Sequence, residues 1–120
     1  MRRALVASSA FTVVAGALQV LAPGRMLRAL DAGDDATARQ LFGTVGVFMA
    51  TSGATLLASL RRPDPEPGVL LGAAAQKAGA SAAMAIGVSR GILSTKALGV
   101  VGIDLASALF AALYSRSAAR

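Results

Sequence analysis

Residues 41–60 read LFGTVGVFMATSGATLLASL, twenty residues without a charged side chain. Because an α-helix rises about 1.5 Å per residue, a run of this length can cross a hydrocarbon core of about 30 Å. The segment RRPDPEP at 61–67 follows it, and its three prolines favour a stiff, extended loop. The stretch therefore predicts a helix that spans a membrane and ends at residue 60.

Three further segments have the same apolar character. The first is free of charge, and the other two contain one and two charged residues. A soluble four-helix bundle is the alternative, but each of its helices would need a charged face toward solvent, which these segments lack. We therefore expect an all-α, integral membrane four-helix bundle that forms a single domain over residues 1–120. The predicted spans are residues 4–22, 41–60, 68–89 and 92–114.

The first segment has a second interpretation. Its sequence Ala15-Gly16-Ala17 imitates the small-residue cleavage site of a secretory signal peptide. The apolar run continues beyond this site through Leu21, and further spans follow, which favours a retained first span.

The composition restricts the chemistry available to the protein. The chain has no cysteine and no histidine, so it lacks disulfides, thiolate metal sites, and the commonest general base and metal ligand. Its net charge of +6 comes from arginines scattered at segment ends, without tryptophan or a basic stripe with interleaved aromatic side chains. We therefore expect no cofactor, no metal ion, no nucleic-acid partner and no enzymatic activity.

The distribution of basic residues predicts the orientation in the membrane. One side of the predicted topology carries six arginines, namely Arg2, Arg3, Arg61, Arg62, Arg116 and Arg120. The other side carries Arg25, Arg28, Arg39 and Arg90, and also Lys96 if its side chain extends that far. Because basic residues favour the cytoplasmic side, we expect both termini in the cytoplasm.

The connection between the first two spans contains two further features. Residues 25–30 could form a short amphipathic turn at the membrane surface. Asp34 or Asp35 is placed to cap the next helix, since a carboxylate accepts hydrogen bonds from its free backbone N–H groups. A cation site formed by this acidic pair is the alternative.

Small residues indicate where helices approach one another, because helix association in lipid depends on close packing rather than on the hydrophobic effect. In the second span their spacing of 3, 4 and 3 places them on one helix face. In the third span they share a face with Gln76, which we expect to make an interhelical hydrogen bond. The predicted packing residues are Gly43, Gly46, Ala50 and Gly53 in the second span, and Gly72, Gly79 and Ala83 in the third.

Lys77 and Asp104 are charged residues near the centres of the third and fourth spans. The turn between these spans centres near Gly91, almost equally far from both, so an antiparallel hairpin brings them to nearly the same depth. One charge at a helix centre costs about 2.5–3.5 kcal/mol, which is close to the whole favourable total of the third span. We expect an intramembrane polar pair whose first role is structural. A proton or substrate site, or no contact between the two residues, are the alternatives.

The chain resembles a known group of proteins at a few positions. The string from Arg39 to Gly46, RQLFGTVG, with Gln76-Lys77 and Asp104, is similar to small four-span bacterial integral membrane proteins, and more generally to the DoxX-like four-helix proteins. The resemblance implies a bundle in the bacterial inner membrane and no established activity. The small multidrug-resistance transporters match in length and span count. They carry a glutamate in the first span, however, where this chain has no acid, and their aromatic substrate cage is missing here.

These features favour a non-enzymatic accessory or interaction subunit. Its partners would be the lipid bilayer and either a second copy or another membrane protein. A small proton-coupled transporter that acts as a dimer, with Lys77 and Asp104 as the coupling pair, is the alternative from a different class. An enzyme that uses Asp104 as acid or base and Lys77 as electrophile is the third class.

Overall fold

The structure, a computed structural model, describes residues 1–120 and is built of helices without a strand. The helices are α1 Arg2–Leu21, α2 Pro23–Ala29, α3 Ala36–Leu60, α4 Pro67–Ser89 and α5 Ala97–Ala118. All except the short α2 are long and apolar enough to cross a membrane. The predicted all-α bundle with four candidate spans is therefore confirmed.

Prolines and a capping residue set several of the helix ends. Pro23 and Pro67 begin α2 and α4, where the missing N–H of proline has no intrahelical partner to lose. Asp35 caps α3, because its side chain accepts a hydrogen bond from the Ala38 N–H at 2.8 Å. Helix α3 consequently begins five residues before the predicted start of the span, with Arg39 inside the helix.

The fourth span begins later than predicted, at Ala97 rather than at residue 92. Helix α4 ends in a Schellman motif, in which the Ile92 N–H donates to the Gly87 carbonyl at 2.9 Å. Gly91 takes the left-handed conformation that this motif requires, with a φ of 71°. Ile92 and Leu93 are apolar and follow the turn directly, so the predicted span included them although they lie outside the helix.

The four long helices form two antiparallel pairs. Helix α1 packs along α3 and α4 along α5, whereas sparser contacts along α1–α5 and α3–α4 join the pairs. Helices α1 and α4 lie diagonally opposite, and none of their Cα atoms approach within 8 Å. A side chain that joins α1 to α4 must therefore reach across the bundle axis.

Glycines bring the backbones of α1 and α3 together. A Cβ atom added to Gly46 would lie 2.6 Å from the Gly16 carbonyl oxygen, and one added to Gly16 would lie 2.6 Å from the Ala50 nitrogen. Gly53 is nearly as close to α1, with 3.0 Å to the nearest atom, while Gly43 is looser, with 3.7 Å. The small-residue face of α3 is thus the face that contacts α1, as expected for helices packed in lipid.

The small residues of α4 do not pack against another helix of this chain, contrary to the prediction. A Cβ atom on Gly72 or Gly79 would meet nothing within 4 Å, and Ala83 is exposed. The buried residues of α4 are instead Leu70, Ala73, Lys77 and Ser81. Because Lys77 has the most free energy to lose in lipid, its burial sets the rotation of α4 and turns the small-residue face outward.

The interior is rich in polar residues and the exterior in apolar ones, which is the reverse of a soluble bundle. The buried polar and charged residues are Ser9, Thr12, Gln19, Ser59, Lys77, Ser81, Asp104, Ser107 and Ser115. Every long helix exposes large apolar side chains, among them Phe11, Phe48, Leu71 and Leu105. An apolar cluster of Leu5, Leu56, Leu60, Leu70, Ala73 and Ala111 closes the end of the bundle where α1 and α4 begin. The outer surface therefore suits hydrocarbon, and the polar groups are held inside.

Candidate functional site

The interior of the bundle holds an ion pair between α4 and α5. The Lys77 ammonium donates to Asp104 Oδ1 at 2.9 Å and to the Thr12 hydroxyl oxygen of α1 at 2.7 Å. Lys77 and Asp104 are buried, with 8% and 7% of their surfaces exposed. The lysine side chain thus crosses the bundle axis and joins the diagonally opposite helices α1 and α4.

The antiparallel register of α4 and α5 explains why the two charges meet. The Ser81 hydroxyl donates to the Val101 carbonyl at 3.4 Å, and this contact lies symmetrically about Gly91 in the chain. The ion pair lies symmetrically about almost the same point. The structure therefore brings together the two residues that the sequence analysis placed at a common depth.

A hydrogen bond within α1 orients the Thr12 hydroxyl so that its oxygen accepts from Lys77. Its hydroxyl donates to the Ser8 carbonyl, one turn earlier in α1, at 2.9 Å, and this bond uses its only hydrogen. Its lone pairs remain for the ammonium group. Sequence reasoning missed Thr12, because a threonine in an apolar helix most often bonds only to its own backbone. Its i, i+4 spacing from Ser8 was the available signal.

Two further hydrogen bonds join the helix pairs beside the ion pair. The Gln76 side-chain oxygen accepts from the Ser52 hydroxyl of α3 at 2.8 Å. The hydroxyl oxygens of Ser8 and Ser107 lie 2.6 Å apart, and since Ser107 already donates to the Ile103 carbonyl, Ser8 is the donor between them. All four long helices therefore contribute to one polar layer. Its members are Ser8, Thr12, Ser52, Gln76, Lys77, Asp104 and Ser107.

A small cavity lies beside the polar layer. The volume open to the centre of a water molecule is about 10 Å³, which is the lower limit for holding one water. Its polar lining comprises Ser8, Ser9, Thr12, Ser52, Gln76, Lys77 and Ser107. No organic substrate fits this space, and the chemistry that it permits is hydration or proton exchange.

Gln19 of α1 is a second buried polar feature, away from the polar layer. Its amide nitrogen donates to the Met49 sulfur of α3 at 3.2 Å, while its Oε1 atom is buried without a hydrogen-bond partner. A buried acceptor that lacks a partner costs about 1–3 kcal/mol. Sequence reasoning did not single out Gln19, because an uncharged amide hardly interrupts an apolar run.

The loop between α2 and α3 carries a cluster of exposed charges. Asp34 accepts from Arg28 at 2.7 Å and from Arg39 at 3.2 Å, and these hydrogen bonds, that from Arg28 first, hold the pKa of Asp34 below its usual range. The Lys96 ammonium lies 3.1 Å from an Asp31 carboxylate oxygen, so Lys96 belongs to this side of the bundle. Asp34 therefore bridges two arginines, and Asp35 is the residue that caps α3.

No group of three or more carboxylate, histidine or cysteine side chains comes together to hold a metal ion. No protein-family model, curated protein or solved structure matches this chain. The resemblance to the DoxX-like proteins therefore stays a prediction, and the function must be argued from the interior and the surface of the bundle.

Proposed function

We propose that this protein is a non-enzymatic interaction subunit of the bacterial inner membrane, in which the Lys77–Asp104 pair is structural. The observation that carries the proposal is the enclosure of the pair. The ammonium is bound by Asp104 and by Thr12, in an interior whose cavity holds at most about one water. A substrate has no space beside these groups.

The geometry of the pair supports a structural role. Contacts within each helix pair are extensive, but the two pairs meet sparsely. Lys77 belongs to one pair and Thr12 to the other, so the lysine holds the two pairs together. The polar layer thus keeps one arrangement of four helices whose apolar contacts alone would be less selective.

The outer surface is where a partner in the bilayer would bind. The outward face of α4 presents Gly72, Gly79 and Ala83 with open space around the glycines. In lipid, such small residues allow another helix to approach closely. The partner is a second copy or another membrane protein, and both termini of this chain lie in the cytoplasm.

A small proton-coupled transporter that acts as a dimer is the second candidate. It is favoured by one observation, that a buried ionisable pair borders hydroxyl groups and a space for about one water. Proton coupling requires Asp104 to separate from Lys77 and to bind a proton from one side of the membrane. A permanent ion pair has no such step.

Reconstitution into vesicles that contain a pH-sensitive dye tests the proposal. With an imposed pH gradient, we expect the same proton flux from the wild type, from the double variant Lys77→Met with Asp104→Leu, and from empty vesicles. Flux that the wild type supports and the folded double variant abolishes would favour the transporter.

Photo-crosslinking tests the interaction itself. A photoreactive residue at Ala83 should give one discrete adduct in native membranes, whereas the same residue at Leu105, on the exposed face of α5, serves as the matched control. Adducts of the same pattern at both positions would contradict a specific interaction through α4. Reporter fusions at both ends of the chain test the orientation.

A further inference from the structure

The two ends of the bundle differ in how their cations are paired. At the end that carries the α2–α3 loop, Arg28 and Arg39 bind Asp34, and Lys96 binds Asp31. At the opposite end, which we call the arginine-rich end, six arginines lie beside only two carboxylates. These residues are Arg2, Arg3, Arg61, Arg62, Arg116 and Arg120, with Asp64 and Glu66. None of these six arginines lies within 4.0 Å of a carboxylate oxygen.

One of the six arginines already has hydrogen-bond partners within the protein. Arg2 donates to the carbonyl oxygens of Leu60 and Arg62, where α3 ends and its dipole favours a cation. The other five are exposed and have no side-chain partner: Arg3, Arg61, Arg62, Arg116 and Arg120. The end therefore carries a surplus of guanidinium groups whose donors face outward.

The positions of these guanidinium groups indicate the ligand. They stand at the ends of α1, α3 and α5, three different corners of the bundle. The ends of membrane-spanning helices lie at the depth of lipid headgroups. A guanidinium fork also matches two oxygens of a phosphate group.

We propose that the arginine-rich end selectively binds the headgroups of anionic phospholipids, through Arg3, Arg61, Arg62 and Arg116. Each arginine that lies near an anionic membrane surface strengthens the attraction about fivefold. The opposite end, with most of its cations already paired, lacks this selectivity. The position of these arginines at the depth of lipid headgroups favours a lipid phosphate over a soluble acidic protein or a nucleic acid.

Competition between two lipids tests this proposal. Purified protein is equilibrated with detergent micelles that contain equal amounts of phosphatidylglycerol and phosphatidylcholine, and native mass spectrometry then counts the retained molecules of each. The test variant is Arg61→Gln with Arg62→Gln. The matched control is Arg25→Gln with Arg90→Gln, which removes the same charge from exposed and unpaired arginines at the other end.

We expect the wild type and the control to prefer phosphatidylglycerol, and the test variant to lose that preference by about fivefold or more. Arg3→Gln with Arg116→Gln should lower it as well. An equal loss in the test variant and the control would show that only net charge matters and would overturn the proposal. So would an unchanged preference in the test variant, or an acidic protein or RNA that co-purifies only when Arg61 and Arg62 are present. All variants change exposed side chains, and their melting temperatures verify that they fold.

Discussion

Removal of either member of the ion pair should destabilise the bundle strongly, whereas removal of both should restore most of the stability. Lys77→Met leaves Asp104 buried with no cation, and Asp104→Leu leaves Lys77 with Thr12 as its only partner. Each single change should cost about 3–5 kcal/mol, because the remaining charge is buried and uncompensated. The double variant buries no charge, so the coupling energy should approach the sum of the two single costs.

Thr12→Val extends this prediction to the third helix. It removes one acceptor of the ammonium and leaves the ion pair itself, so it should cost about 1.5–3 kcal/mol, less than either charge deletion. This ranking follows because the loss of Thr12 leaves Lys77 bound to its counter-ion Asp104, whereas the loss of Asp104 leaves it only an uncharged hydroxyl.

Reversible unfolding in mixed micelles, with increasing denaturing detergent, measures these free energies. Ser117→Ala, which changes an exposed serine near the end of α5, controls for the effect of substitution alone. Additive costs in the double variant would refute the reasoning, since they would mean that the two charges do not compensate each other. A Thr12→Val variant as unstable as Lys77→Met would show that Thr12 does more than accept one hydrogen bond.

Three further predictions concern other parts of the bundle. Gly46→Leu should lower the free energy of unfolding by about 3 kcal/mol or more, because its side chain would push α1 away from α3. Gly79→Leu points into open space and should leave unfolding in detergent unchanged. Equal melting temperatures of these two variants would contradict the packing of α1 on α3. Gln19→Met should stabilise the protein by about 1 kcal/mol, because it removes a buried acceptor without a partner, and a lower melting temperature would disprove this. Asp34 has a lowered pKa in the folded state, so its stabilisation is complete above the unfolded-state pKa of about 3.9 and is lost as the pH falls through the lower folded-state value. In acid titrations of thermal stability the wild type should therefore lose more below about pH 4 than Asp34→Asn, and parallel curves would contradict the bridge.

The fold was predictable because the features that decide it can be read directly from the order of residues along the chain. Charge-free runs of twenty residues and the prolines of RRPDPEP mark the spans without reference to any tertiary contact. Boundaries were less predictable where capping decides them. The cap at Asp35 lets α3 begin five residues before the predicted span, and the Schellman turn at Gly91 delays α5 although Ile92 and Leu93 are apolar.

The site was predictable in its charges and in the interhelical hydrogen bond of Gln76. Lys77 and Asp104 attract notice because each is expensive in lipid, and counting from Gly91 gives their common depth. Thr12 and Gln19 carry no charge, and a lone amide or hydroxyl hardly alters hydropathy. The inward face of α4 could not be chosen from small residues alone, because lysine burial outweighs the advantage of packing Gly72 and Gly79.

Lys77, whose side chain crosses the bundle axis, can complete its contacts only in a set order during synthesis. One partner is synthesised before it and the other after it, since Thr12 precedes Lys77 by 65 residues and Asp104 follows it by 27. At a synthesis rate of about 5–20 residues per second, Lys77 waits roughly one to five seconds for its counter-ion. During that interval Lys77 has Thr12 of α1 as its only available partner, and its counter-ion has not yet been made. A chain that stops before α5 thus keeps a cation in its third span without a counter-ion, so the bundle is completed only when its last helix is made.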